Sequence, residues 1–178
     1  MSGTETNGAE HLKSARRSDD DRTTAISLYN FAHSYWASAS VLQASDVNAT
    51  RPHAPVNYLY FHAIELFLKA HLRMTGLTVA EIKLVGHNME KLASKAEELG
   101  LSLTESDFEV IKLVGENYLP MRCIQVGPLT IATTEALWGT CSWLFDTIGD
   151  GLLDSGVTKR LPPRPAHPSD AEIDGKPD

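Results

Sequence analysis

Cysteine is scarce in this chain: Cys123 and Cys141 are the only two among 178 residues, far apart and without a C-x-x-C partner. That excludes a disulfide framework or a zinc knuckle and leaves buried thiols as the expectation. Positive charge is also in short supply, with 16 Lys and Arg against 23 Asp and Glu and a formal net charge of -7. Holding nucleic acid by broad phosphate neutralisation needs clustered cations, so only a local basic pocket remains open. No run approaches the roughly 20 apolar residues that span a bilayer. Met1 to Arg22 is polar and charged with no apolar core segment, neither a secretory signal nor an anchor, so residues 1–22 are expected to be a disordered arm on a cytoplasmic protein with no membrane partner. Gly-rich phosphate loops, nucleophile elbows and paired-carboxylate hydrolase motifs are missing. His53, His62, His71, His87 and the two cysteines have no recognisable ligand spacing, so neither a metal nor a cofactor is expected.

What the chain does have is helical periodicity. Hydrophobic residues make up 42% and charged residues 22%, a globular composition for one domain. Apolar residues at Ile26, Tyr29, Ala32, Trp36, Ala39 and Leu42 predict a first helix over about 23–45. Pro52 and Pro55 predict a loop, followed by a second helix from about Val56 to Thr75 that Gly76 stops. Apolar side chains cover most of that helix, as suits the centre of a bundle. Thr78 and Glu81 form a capping box for a short helix ending at Gly86. Helices over about 88–99, from Thr104 to a stop at Pro120, and over about 130–149 follow. Strand alternation is nowhere sustained. The fold class is therefore all-α, an antiparallel up-and-down bundle of four or five main helices over 23–153. From Asp154 onward, Pro162, Pro163, Pro165, Pro168 and Pro177 stand among polar residues, which predicts a disordered tail over 154–178.

The second helix carries one polar stripe, His62, Glu65, Lys69 and Arg73, recurring at three and four residues on a single face. As an exposed pair, Glu65 and Lys69 contribute a few tenths of a kcal/mol. As a groove between helices, the stripe offers Lys69 and Arg73 to a phosphate, and Glu65 or His62 to a hydroxyl or base. His87 and Asn88 follow Gly86 at a helix start, where free N–H groups favour an anion and where Asn is also a preferred cap. Tyr118 and Arg122 flank Pro120 at the end of that helix, with Arg122 directed either at the last carbonyls or at a ligand.

The order of three pieces, Tyr60-Phe61-His62-Ala63-Ile64-Glu65-Leu66-Phe67-Leu68-Lys69-Ala70-His71-Leu72, then Gly86-His87-Asn88-Met89-Glu90-Lys91-Leu92, then Asn117-Tyr118-Leu119-Pro120-Met121-Arg122, resembles the HEPN family of small helical nucleotide-binding and RNA-processing domains over about 26–153. The resemblance implies a homodimer and a nucleotide or RNA ligand. It further implies a setting beside a nucleotidyltransferase partner or in a stress or defence system. The catalytic signature of ribonucleases of that family is an Arg followed after four to six residues by a His, a cation and a proton-transfer group for RNA cleavage. Here the spacing recurs only at Arg160 and His167, in the proline-rich tail, where rigid placement is not expected. The expectation is thus a noncatalytic nucleotide- or RNA-associated module, with no catalytic residue assigned. A divergent ribonuclease using Arg122 with His87 or His62, and a purely structural interaction module, are the rivals.

Overall fold

The computed structural model describes residue 20 and residues 22–122, 130–158 and 160–170, with the side chains of 119–122 excepted. Among these residues there are six helices and no strand: α1 (Ala25–Gln43), α2 (His53–Met74), α3 (Val79–Val85), α4 (Met89–Glu98), α5 (Glu105–Arg122) and α6 (Thr134–Asp154). A 3-10 turn over Pro168–Asp170 follows. No helix among them is long and apolar enough to cross a membrane.

Each helix start has a local cause. Thr24 accepts from the Ser27 amide, Thr78 and Glu81 make a reciprocal capping box, Asn88 accepts from Lys91, and Thr133 from Ala136. Three boundaries differ from those expected. Pro52 and Pro55 do not lie in a loop but open α2, because proline lacks only an N–H that the first helical turn leaves unpaired. Pro120 sits in the last turn of α5, which continues two residues beyond it to Arg122. The last helix starts at Thr134, where Thr133 caps it, and runs on past Gly149 to Asp154.

α2 is the hub. It packs against α1, α3, α4, α5 and α6. Tyr60, Phe61, Ile64, Phe67, Leu68 and Leu72 along it are fully buried. α1 lies antiparallel to α2, since Tyr60 Oη near the start of α2 donates to Gln43 at the end of α1 (2.7 Å) and Arg73 reaches Thr23 at the opposite end. α6 is antiparallel to α1 by the same logic, with Gln43 donating to Thr134, Trp36 beside Trp138, and Tyr29 Oη donating to the Phe145 carbonyl. Tyr29, Trp36, Phe67 and Phe145 form one aromatic cluster with ring centroids 5.2–6.4 Å apart. α1 and α6 approach closely at Gly149, where a Cβ would fall 2.8 Å from Tyr29 Oη. Asp107 joins α5 to α6, accepting from Thr104 and from Thr140 at 2.8 Å. Cys141 is a buried thiol, and Cys123 lies outside the described residues.

The chain after Asp154 departs from the disorder expected of it. Residues 160–170 lie along α1 and α6, with Pro168 buried. Such a segment has too little apolar area to fold alone, but its prolines restrict the free chain, so docking costs less entropy. Residues 1–19 of the expected arm and 171–178 of the expected tail lie outside the described residues.

Candidate functional site

Glu65 stands in the middle of α2 on the stripe that the sequence singles out, yet its side chain is only 1% exposed. The stripe is therefore not a solvated seam at its centre. A carboxylate removed from water must be paired, and Glu65 is. Lys69, one turn on, donates to its Oε1, and His87 Nδ1 lies 2.7 Å from the same oxygen. Oε2 has no hydrogen-bond partner, and His62 Nδ1 lies 3.8 Å from it. His62 Nδ1 is instead engaged with Tyr118 Oη at 3.1 Å, which brings α5 into the group.

These contacts set the charge state. Burial alone would push the Glu65 carboxyl up, but His62 close by, the Lys69 bond and charge, and the His87 bond together outweigh it and bring the pKa from 4.5 down to about 2. Glu65 is ionised at neutral pH. An ionised carboxylate only accepts, so His87 Nδ1 is the donating nitrogen. His87 reaches Glu65 because α3 is one short helix that ends at Gly86, whose φ of 73° turns the backbone into a region where a side chain would be strained. Its own side chain remains 63% exposed.

Two grooves open on either side of His87. One, of about 450 Å³, has a cationic and apolar lining that includes Leu28, Leu66, Lys69, Ile82, Lys83 and His87. The other, of about 460 Å³, is lined by His87, Asn88, Glu90, Gly115, Glu116 and Tyr118 among others. A larger depression of about 580 Å³ between Leu84 and the outer face of α4 contains no buried polar side chain and offers no comparable chemistry. Among the described residues no group of three or more His, Cys, Asp or Glu is arranged to hold a metal ion.

The structure thus brings His62, Glu65, Lys69 and His87 together. Arg73 and Asn88 have structural duties instead. Arg73 donates to the backbone carbonyls of Thr23 (2.8 Å), Leu77 and Asp20 (3.1 Å), which fastens the start of α1 and the α2–α3 turn to α2. Asn88 spends its side-chain oxygen on the Lys91 amide. The backbone of Arg122 ends α5, and its side chain lies outside the described residues.

Aromatic residues around His62 escaped the sequence reading as site residues. Tyr35 meets the imidazole edge-on at 4.3 Å between centroids, and Tyr58 lies parallel to it at 6.3 Å. Tyr58 extends the stripe by one turn, at four residues before His62, and that spacing was the available signal. Nothing in the sequence marked Tyr35, which reads as one more apolar position of α1, or Lys83, which reads as a surface residue of a short helix.

No protein-family model matches the chain, and neither a curated protein nor a solved structure does.

Proposed function

We propose that the chain is a noncatalytic, HEPN-like binding module for a nucleotide or a short stretch of RNA, cytoplasmic and homodimeric, working beside a nucleotidyltransferase or in a stress or defence system. The observation that carries the ligand is the cationic groove beside the buried Glu65. Leu28, Leu66 and Ile82 supply an apolar wall for a base, Lys69 and Lys83 face a phosphate, and His87 offers Nε2 at the rim. A volume of about 450 Å³ falls within the usual range for small-molecule sites. Glu65 holds Lys69 and His87 in place before a ligand arrives, so little ordering remains to be done on binding. Phe31 and Val41, large apolar residues exposed on α1, are in keeping with the proposed pairing of two copies.

One observation favours a divergent ribonuclease as the second reading. A buried carboxylate that fixes the tautomer of a partly exposed imidazole is an arrangement suited to proton transfer, with His87 as the base. The same experiment addresses both. The full chain is titrated with ATP, ADP and a short single-stranded RNA while cleavage of the RNA is followed. Binding without cleavage is expected, and Lys83→Glu should weaken it by roughly 10- to 100-fold, the loss of one charge-assisted contact, in a variant that circular dichroism shows to be folded. Equal affinity of the parent and Lys83→Glu for every probe would sink the groove assignment. Cleavage that disappears in His87→Ala would replace it with the ribonuclease.

A further inference from the structure

One face of α6, exposed at Glu135 and Asp146 and buried at Ser142 and Gly149, holds a second stripe, Glu135, Trp138, Ser142, Asp146 and Gly149, spaced at three and four residues. Every member meets the segment that follows the bundle. His167 stands edge-on to Trp138 with 4.5 Å between ring centroids, and its Nε2 lies 3.1 Å from a Glu135 carboxylate oxygen. Arg164 donates to Ser142 Oγ and to the Asp146 carboxylate. Leu161 fits over the bare Cα of Gly149, where an added Cβ would fall 3.2 Å from Leu161 Cδ1. From α1, His33 Nε2 meets the Pro163 carbonyl at 2.8 Å.

The pairing is in register. Leu161, Arg164 and His167 recur at every third residue, which is the repeat of a polyproline II helix and puts the three side chains on one of its faces. Six residues of such a helix advance about 19 Å at 3.1 Å each. From Gly149 back to Glu135, an α-helix advances about 21 Å at 1.5 Å per residue. The two repeats keep step, with the segment running antiparallel to α6. The segment has neither helix nor strand over 160–167, so side chains and one carbonyl do the reading.

We infer that the α6 stripe with His33 is a docking groove for an extended proline-rich peptide carrying Leu, Arg and His at successive third positions, and that the chain's own residues 161–168 occupy it as a competing internal ligand. The proposal follows from the match between two periodicities and from the charge complementarity of Arg164 with Asp146. A partner bearing the same spacing binds by displacing the internal segment. Its apparent affinity is then reduced by the small fraction of molecules whose groove is open.

The test uses the full chain and a labelled synthetic peptide spanning residues 157–170. Arg164→Glu in the chain sets a carboxylate against Asp146 and opens the groove, and His167→Ala opens it by a different contact. Both variants should bind the native peptide at least about tenfold more tightly than the parent chain does, because the internal competitor is weakened. Adding Asp146→Arg to the Arg164→Glu chain should abolish that gain, and a peptide carrying Arg164→Glu should restore binding to a chain carrying Asp146→Arg. Circular dichroism confirms that each variant is folded. Equal affinity of parent, Arg164→Glu and His167→Ala chains for the peptide overturns the proposal, as does binding indifferent to Asp146→Arg. Light scattering on the same samples separates a second occupant. A parent dimer that the peptide dissociates would mean that the segment docks on another copy, and the internal seat would be wrong.

Discussion

Replacing Glu65 with Gln keeps the shape of the side chain and removes its charge, so it isolates what the buried carboxylate contributes. The fall of its pKa from 4.5 to about 2 corresponds to about 3 kcal/mol of stability. The geometry gives a compatible figure. A hydrogen bond to a charged group is worth roughly 1.5 to 3 kcal/mol. Lys69, at 14% exposure, counts nearly in full, whereas His87, mostly exposed, is heavily discounted. The sign of the pH dependence follows from the depressed value. The stabilisation is fully present above pH 4.5, where the unfolded chain is ionised too, and is lost as pH falls from 4.5 towards 2. Glu65→Gln should therefore cost about 3 kcal/mol at pH 7, or roughly 6 to 12 °C in melting temperature. Between pH 4.5 and 3 its deficit should shrink, because the unfolded parent chain then takes up a proton that its folded state, ionised down to about pH 2, does not, and the Gln variant has no such proton to take up. Urea unfolding of both proteins at pH 7, 4.5, 3.5 and 3 measures this. A deficit below about 1 kcal/mol at pH 7, or one that stays constant down to pH 3, would refute the reasoning. The burial of Glu65 also sets the cost of exchanging the pair: Glu65→Lys with Lys69→Glu puts an ammonium where the carboxylate is enclosed, and should cost several kcal/mol.

Two further outcomes test the fastenings around the site. Arg73→Ala should destabilise the protein by about 2 to 3 kcal/mol in urea unfolding, since three backbone carbonyls lose a charged donor, and amide exchange should rise first around Thr23 and Leu77. Gly149→Ala drives a Cβ towards Tyr29 Oη and Leu161 at once, so a loss of about 1 to 3 kcal/mol is expected together with faster proteolysis within 157–170. An unchanged cleavage rate there would mean that Leu161 does not depend on Gly149.

The helices were legible in the sequence because apolar spacing and capping residues report local physics. The hub role of α2 could be read from its nearly continuous apolar circumference. The character of the stripe could not. Spacing says that His62, Glu65 and Lys69 share a face, but whether that face meets water depends on the chain from Gly86 to Asn88 folding back over it. Arg73 read as a ligand contact because a free guanidinium and one committed to three backbone carbonyls look alike in a sequence. The seat of residues 160–170 was hidden for a related reason. Composition reports whether a segment can fold by itself, and is silent on whether a helix elsewhere carries side chains in step with it.

The antiparallel seating of α1 on α6 joins the first helix of the bundle to the last, with Tyr29 and Phe145 in contact across 116 positions of chain. During synthesis α1 and α2 can pair early, with Phe67 meeting Tyr29 and Trp36, but the side of this aromatic cluster that Phe145 closes stays open until α6 has been made. From Met74 to Asp154, at roughly 5 to 20 residues per second, that interval is about 4 to 16 s. For those seconds the nascent hairpin displays an open aromatic face, so the hazard of misassociation on the ribosome is concentrated in the order in which the helices emerge rather than in the finished bundle.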